Sequence, residues 1–273
     1  MIRLAVRCRP EIADRVLSEL LELAPGGVEE DEGRDWVEYA IYGPPGELPA
    51  LPELEAVAAE GLVEISSTEI PDDWADSWRD FHQPVWVGER LLVRPSWAEA
   101  PEQRAGIDVV IDPGQAFGTG AHATTTMCLE LLLELADKGE ARGPLGDLGT
   151  GSGVLAIAAA KLGWEPVVAL DHERAALEAA GANATANGVD LELRRVNLRD
   201  KPPPPMPTLV ANLTAPLLRA VAVRLEMPPR NLVCSGLLAT ESDGVAAALA
   251  GGGLRVAAER MSGDWAALLC RAG

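Results

Sequence analysis

The stretch Asp147-Leu148-Gly149-Thr150-Gly151-Ser152-Gly153 connects a short, mostly apolar segment, 145–148, to an alanine-rich segment, 154–162. The first segment is typical of a buried strand and the second of a helix. Glycine at every second position lets the backbone turn tightly and come close to a ligand. Val154 stands where a dinucleotide fingerprint has its third glycine, and without a following Gly-Lys-Ser/Thr the stretch is no P-loop. It predicts a strand–turn–helix unit that binds a nucleoside, with a purely structural turn as the alternative.

Outward from this unit, apolar strands alternate with helices. The strands are predicted at 107–111, 145–148, 166–170, 191–196, 209–212, 231–235, 254–259 and 266–270. The helices are predicted at 124–136, 154–162, 173–187, 215–225 and 240–250. This alternation predicts an α/β fold with a doubly wound parallel sheet. Because only residues 261–264 separate the last two strands, these should form an antiparallel hairpin.

The first 66 residues have a different pattern. Apolar side chains alternate over 2–9, as in a half-buried strand, and then follow a helical face from Glu11 until Gly26-Gly27. Further strands are predicted at 28–30, 36–42 and 62–66, and a helix at 49–60. This order predicts a small ferredoxin-like α+β domain. The predicted domains are 1–66, an interdomain linker over 67–105 with a helix at 71–81, and 106–273.

Composition narrows the function classes. The chain has 273 residues, 48% of them hydrophobic and 24% charged, as in ordinary globular proteins. Its net charge of −19 repels phosphate backbones, so we expect no direct nucleic-acid binding, but a basic protein partner fits. Four scattered cysteines predict buried reduced thiols, and three scattered histidines predict no metal site. No signal-like or membrane-spanning run is present, so we expect a cytoplasmic protein without membrane contact.

Two carboxylates follow strands of the predicted sheet. Asp171 ends the strand after the glycine turn, where a carboxylate can accept hydrogen bonds from both ribose hydroxyls of a nucleoside. Its alternative role is to cap the helix over 173–187. Asp147 can hold an ammonium group of a ligand, or it can brace the glycine turn.

Two polar segments complete the candidate site. The loop Asp112–Thr125 is rich in glycine and hydroxyl groups, and Thr124 or Thr125 can cap the following helix. His122 is a candidate general base, although a structural hydrogen bond is the stronger interpretation. Asn212 ends a buried strand on the side where doubly wound sheets bind ligands, and its alternative role is to brace a loop.

Together these motifs resemble the ribosomal protein L11 methyltransferase family, which belongs to the class I S-adenosylmethionine-dependent methyltransferases. The resemblance covers residues 62–273. It is carried by Ile70-Pro71-Asp72-Asp73-Trp74 with Trp78, Pro84–Trp97, Asp112–Thr125, Asp147–Gly163, Asn183–Gly188, Ala211–Leu218, and Ser235-Gly236-Leu237 with Trp265. It implies a seven-stranded Rossmann-like methyltransferase sheet, with substrate recognition by the domain at 1–66.

The resemblance also implies a cofactor, a reaction and site residues. The cofactor is S-adenosylmethionine, and the reaction is transfer of methyl groups to lysine side-chain amines, and to the N-terminal amine, of a basic large-subunit ribosomal protein. We expect the enzyme to be a monomer. The implied cofactor contacts are Thr125, Gly149, Gly151, Asp171 and Asn212, with Phe117, Gly118 and Thr119 in a segment that closes over the ligand. Asn212 is in addition the candidate that orients the amine.

Two departures from the family pattern bear on these expectations. His172-Glu173 follow Asp171 where the family has an apolar residue and Asp, which affects how the adenine or ribose is bordered. Residues 202–208 replace the usual Phe-Asp lead into the strand of Asn212. The alternatives are a methyltransferase acting on another protein or a small amine, and a non-catalytic nucleoside-binding scaffold associated with the ribosome.

Overall fold

The structure is a computed structural model. It describes residues 2–13, 16–17, 20, 29–33, 35–43, 63–69, 83–99, 106–112 and 122–273. The chain divides into two compact units, Met1–Phe81 and His82–Gly273. The helices predicted at 49–60 and 71–81 lie outside the described residues. The predicted boundaries at residues 66 and 105 stay predictions.

The first unit contains an antiparallel sheet in the order β2-β3-β1-β4. Its strands are β1 (Ile2–Cys8), β2 (Glu29–Glu32), β3 (Val37–Gly43) and β4 (Val63–Glu69). Val6 and Tyr39 of the sheet and Leu20 of the segment after β1 belong to one buried core. All four predicted strands are therefore present, while the ferredoxin-like assignment, which includes the helix at 49–60, stays a prediction.

The second unit is built on a seven-stranded sheet in the order β10-β9-β8-β11-β12-β14-β13. Its strands are β8 (Leu145–Leu148), β9 (Val167–Asp171), β10 (Glu192–Arg195), β11 (Thr208–Asn212), β12 (Asn231–Leu238), β13 (Leu254–Ser262) and β14 (Trp265–Ala272). Strands β8 to β12 are parallel, and β14 pairs antiparallel with both β12 and β13. The predicted fold class and the terminal hairpin are confirmed.

Helices cover both faces of this sheet. They are α1 (Ala123–Asp137), α2 (Val154–Leu162), α3 (Arg174–Asn187), α4 (Ala215–Arg224) and α5 (Ser242–Gly251). One apolar core includes side chains of α1, α2 and α3, and a second core on the other face includes those of α4 and α5. All residues of β8 and β9 are buried, which explains why these strands are rich in apolar residues without alternation. The four cysteines are buried and unpaired, as predicted.

The strand predicted at 107–111 does not join the large sheet. It forms β7 (Ile107–Val110), which pairs with β6 (Leu91–Arg94) in a three-stranded sheet that also contains β5 (Val85–Val87). Arg94 ties this pair together, since its Nε and Nη2 donate to the two carboxylate oxygens of Asp108 at 2.9 and 2.7 Å. An apolar strand pattern does not show which sheet a strand joins, so this partner could not be read from the sequence.

Candidate functional site

The glycine turn connects β8 to α2 as predicted. Gly149, Gly151 and Gly153 all have positive φ angles, of 73°, 53° and 86°, which glycine adopts without steric cost. The amides of Gly149 and Thr150 both donate to the carbonyl oxygen of Leu170 at 2.8 Å. These bonds fix the turn against the end of β9, at the carboxyl edge of the parallel strands where doubly wound folds bind nucleotides.

Asp147 lies under this turn and is almost completely buried. Its Oδ2 accepts hydrogen bonds from Thr150 Oγ1 at 2.7 Å and from the amide of Ala156 at 3.2 Å. Its Oδ1 is buried without a hydrogen-bond partner. Burial raises the pKa of the carboxyl group from 3.8 to about 7, although these two hydrogen bonds favour its charged form. Of its two predicted roles, the observed contacts favour bracing of the turn.

This raised pKa predicts a pH-dependent stability. Between pH 4 and 7 the folded chain holds a proton on Asp147 that the unfolded chain loses, so folding becomes less favourable as the pH rises. Asp147→Asn removes this titration. From pH 4 to pH 8, we expect its unfolding free energy to rise relative to wild type by up to about 4 kcal/mol. Chemical denaturation at both pH values measures this change. The control is Asp190→Asn at an exposed position, for which we expect the difference in unfolding free energy from wild type to be the same at both pH values. A difference for Asp147→Asn that is also the same at both pH values would contradict the prediction.

Asp171 ends β9 beside the glycine turn and is buried with its carboxylate at the edge of the site. Its Oδ2 accepts from the amide of Gly151 at 3.1 Å, and its Oδ1 accepts from the amide of Glu173 at 3.0 Å. The exposed ring of His172 lies beside the carboxylate, with Nδ1 3.2 Å from Oδ1. Each carboxylate oxygen can accept a second hydrogen bond. The N-cap of α3 is Glu173, so the alternative role of Asp171 as the cap is wrong. Asp171 instead braces the backbone on both sides, at Gly151 and at Glu173, in a position suited to bind hydroxyl groups.

The structure brings Asn212 and Thr125 together from positions 87 residues apart. Asn212 ends β11, and its Nδ2 donates to Oγ1 of Thr125 in the first turn of α1 at 3.2 Å. Thr125 is buried, whereas Asn212 is half-buried. Both residues were predicted as cofactor contacts, but the sequence offered no sign of their direct contact. The pair places an oriented amide group at the carboxyl edge of the sheet.

His122, rather than Thr124 or Thr125, caps α1. Its Nδ1 lies 2.7 Å from Thr124 Oγ1 and accepts weakly from the Thr124 amide at 3.4 Å. The ring meets Trp265 edge to face, with 5.0 Å between centroids. Burial lowers its pKa, which favours the neutral ring. The prediction of a threonine cap is thus wrong, because the histidine occupies the extended N-cap position, and His122 has the structural hydrogen bond that was preferred to a role as general base.

Leu213, directly after Asn212, is held between two glycines. A Cβ atom on Gly149 would lie 2.4 Å from Leu213 Cδ2, and one on Gly236 would lie 2.5 Å from the Leu213 carbonyl oxygen. Gly236 belongs to a bulge in the β12–β14 pairing, and the preceding carbonyl of Ser235 accepts from the Leu213 amide at 2.9 Å. This close packing fixes the backbone that carries Asn212, and the sequence motif Ser235-Gly236-Leu237 was its only signal.

Gly236→Ala is therefore expected to destabilise the second unit. The new Cβ would clash with the Leu213 backbone, and residue 236 has a φ of +85°, which alanine rarely adopts. We expect a loss of about 3 kcal/mol and a fall of roughly 5–10 °C in melting temperature. Gly263→Ala is the control: it has a positive φ of 56° but no atom within 4 Å of the added Cβ, so it should cost only about 1 kcal/mol. Equal melting temperatures for the two variants would show that the close approach to Leu213 is unimportant.

Two asparagines of α3 contribute to the site without having been predicted to do so. Asn183 is buried; its Nδ2 donates to the Ser152 carbonyl at 2.8 Å, and its Oδ1 accepts from the Asp112 amide at 3.2 Å. Asn187 bonds both the amide and the carbonyl of Val110. These side chains join the glycine turn to the start of the loop at 112–125. Their spacing of four residues on a helix was the available signal. Phe117, Gly118 and Thr119 lie outside the described residues.

Comparison with known proteins identifies the family. The family model described as ribosomal protein L11 methyltransferase (PrmA) matches residues 50–272. The chain belongs to the ribosomal protein L11 methyltransferase family. Two similar relatives, both named ribosomal protein L11 methyltransferase, come from Pelotomaculum thermopropionicum and Symbiobacterium thermophilum. Each is 34% identical to this chain, and the alignments cover 99% and 98% of the chain and 98% of each relative.

A solved structure agrees with this family assignment. The ribosomal protein L11 methylase of Lactobacillus delbrueckii subsp. bulgaricus has a TM-score of 0.61 and 27% sequence identity, over 70% of this chain and all of that chain. The predicted methyltransferase family, its Rossmann-like fold and S-adenosylmethionine as cofactor are confirmed. None of the helices among the described residues is long and apolar enough to cross a membrane.

The residues present fit this cofactor. The turn at 149–153 presents glycine backbone rather than bulky side chains, and the Asp171 carboxylate lies 20 residues on but within hydrogen-bond distance of the Gly151 amide. The cofactor is a nucleoside with two ribose hydroxyls, which a carboxylate at this strand end is suited to bind. A compact backbone turn beside a carboxylate is the arrangement that such a ligand requires.

Proposed function

We propose that this enzyme methylates ribosomal protein L11 on lysine side-chain amines and on the N-terminal amine, with S-adenosylmethionine as methyl donor. The proposal is supported by the family membership and by the names of the two relatives. The observation that carries the chemistry is the Asn212–Thr125 hydrogen bond beside the glycine turn. It provides an oriented polar group where an incoming amine must be aligned.

The cofactor site is formed by residues from four elements. Gly149 and Gly151 offer backbone that a nucleoside can approach, and Asp171 accepts hydrogen bonds from the ribose hydroxyls. Thr125 and Asn212 border the site from α1 and β11. Phe117, Gly118 and Thr119 are kept as proposed cofactor contacts that close over the ligand, as the family resemblance implies. Asn183 holds Asp112, where this segment begins, beside the glycine turn.

The protein's part in the reaction is to position an amine and to exclude water. The cofactor supplies a methyl group that is activated by its bond to a sulfonium. Asn212 uses Nδ2 to bond Thr125, so its Oδ1 is the atom available to accept a hydrogen bond from the amine. A lysine amine has an ordinary pKa of about 10.4, so it must lose a proton before it attacks. Water takes this proton, and Asn212 then orients the neutral nitrogen.

Charge supports a basic protein substrate. The enzyme carries a net charge of −19, which attracts a basic partner and speeds the encounter. Lysine specificity and a cytoplasmic location go with this choice of substrate, and the monomeric state is a separate expectation; all three stay predictions.

Transfer of a labelled methyl group to purified ribosomal protein L11 tests the proposal. We expect label in the protein, on lysines and on the N-terminal residue, as mapped by mass spectrometry. Ribosomal RNA and free lysine serve as competing acceptors in parallel reactions. Label in either of these but not in ribosomal protein L11 would refute the substrate assignment while leaving the methyltransferase assignment intact.

A further inference from the structure

A groove of about 610 Å³ lies between α1 and β13, and we call it the α1–β13 groove. Thr126, Met127 and Glu130 line it on the helix, and Glu259, Arg260 and Met261 line it on the strand. The predicted cofactor contacts that the structure describes, Thr125, Gly149, Gly151, Asp171 and Asn212, do not line it. It is therefore a separate feature of the second unit that the reaction chemistry leaves unexplained.

The groove opens at the same edge of the sheet as the site. Met261, at the end of β13, pairs with Ala266 beside Trp265, and the Trp265 ring contacts His122 at the start of α1. Thr126 of the groove directly follows Thr125, which holds Asn212. A polypeptide whose amine reaches Asn212 would therefore pass this groove on its way out of the site.

The groove carries a net negative charge. Among the described residues that line it, Arg260 is the one cation, and its Nη2 donates to Glu134 Oε2 at 2.7 Å. Its Nε is also 3.6 Å from Glu130 Oε2. Glu134 lies outside the lining and is also paired with Lys138 at 2.6 Å, so the lining side chains Glu130, Glu259 and Arg260 leave one negative charge. The exposed side chain of Glu259 accepts from Ser242 Oγ at 2.6 Å, which fixes its position.

The groove also offers apolar surface beside this charge. Met261 lines the groove and is 61% exposed, and Met127 lines it on the helix. A lysine or arginine side chain has an apolar stem and a charged end. Such a side chain can cover Met261 with its stem and place its charge near Glu130 and Glu259, whereas an acidic segment would be repelled.

We infer that the α1–β13 groove binds a basic segment of the protein substrate that lies next to the amine being methylated. The inference rests on the proposed function, because it supplies a docking surface for the same substrate. The groove then contributes to substrate affinity and has no part in methyl transfer or in donor binding.

Charge reversal with matched controls tests this inference. Glu130→Lys and Met261→Lys place a positive charge in the groove. The control for Glu130→Lys is Glu178→Lys, which makes the same change on α3. This helix packs at the opposite edge of the sheet, and the Glu178 side chain is 63% exposed. The control for Met261→Lys is Val256→Lys, at a residue near the other end of β13 that is 43% exposed. Binding of labelled ribosomal protein L11 is titrated for all four variants and for wild type, together with donor affinity and methyl transfer.

We expect Kd and KM for ribosomal protein L11 to rise about five- to tenfold in both groove variants at low salt, with kcat and donor affinity unchanged. The difference should shrink as salt rises. Affinities equal to those of the matched controls would overturn the inference, as would a loss of kcat at unchanged substrate affinity. If wild type binds ribosomal protein L11 and the groove variants do not weaken it, only the groove assignment fails. If wild type transfers no methyl group to that protein, the proposed function fails, and the groove loses its substrate with it.

Discussion

Replacing Asp171 with asparagine is expected to weaken S-adenosylmethionine binding by about 100-fold. In the proposed site, the Asp171 carboxylate accepts hydrogen bonds from two ribose hydroxyls. A hydrogen bond to a charged group contributes about 1.5–3 kcal/mol. Asparagine keeps the size of the side chain and one oxygen acceptor, but it loses the charge and the second acceptor. Isothermal titration with the donor, and with its demethylated product, measures the change directly.

The same variant separates the two roles of Asp171. Its bonds to the amides of Gly151 and Glu173 are structural, so asparagine should also lower the melting temperature by a few degrees. A carboxylate that only braced the backbone would show this loss of stability with normal donor affinity. Asp190→Asn is the control, because it makes the same change at an exposed residue that precedes β10, at the opposite edge of the sheet from Asp171. We expect it to change donor affinity by less than about twofold.

The order of strands and helices could be predicted because it depends on local patterns. Glycines in the turn at 149–153 have positive φ angles, as the turn predicted from their spacing implies, and the buried strands β8 and β9 are rich in apolar residues. Asp171 and Asn212 could be placed for a related reason: each is the polar end of an apolar strand, at the edge where the fold binds ligands, and their contacts with the donor stay predictions. These signals lie within a few residues of each other.

Contacts between distant segments could not be predicted in the same way. The Asn212–Thr125 bond joins residues 87 positions apart, and the packing of Gly236 on Leu213 depends on a bulge in the β12–β14 ladder. The strand at 107–111 had the expected apolar pattern but pairs with β6 instead of joining the large sheet. In each case the partner is selected by three-dimensional packing, which a local sequence pattern does not specify.

Contact between Asn212 and Thr125 leads to the second large prediction. Asn212→Ala is expected to lower kcat for methyl transfer to ribosomal protein L11 by about 100- to 1000-fold, because an amine that is not oriented rarely reaches the geometry for in-line attack. Donor affinity should fall by less than about tenfold, since in the proposed site Asp171 provides the stronger polar contact with the donor. Single-turnover kinetics at saturating donor, combined with titration of the donor, separates the two effects.

Thr125→Val provides the graded comparison for Asn212→Ala. Valine keeps the shape of the buried threonine but removes Oγ1, the acceptor that holds Asn212 Nδ2 at 3.2 Å. The amide then rotates more freely, so kcat should fall by about tenfold while Asn212 remains present. In a double variant the two losses should not multiply, because Thr125 acts through Asn212. Independent, multiplying losses would mean that Thr125 contacts the donor or the amine by itself, and a kcat unchanged in Asn212→Ala would remove Asn212 from the mechanism altogether.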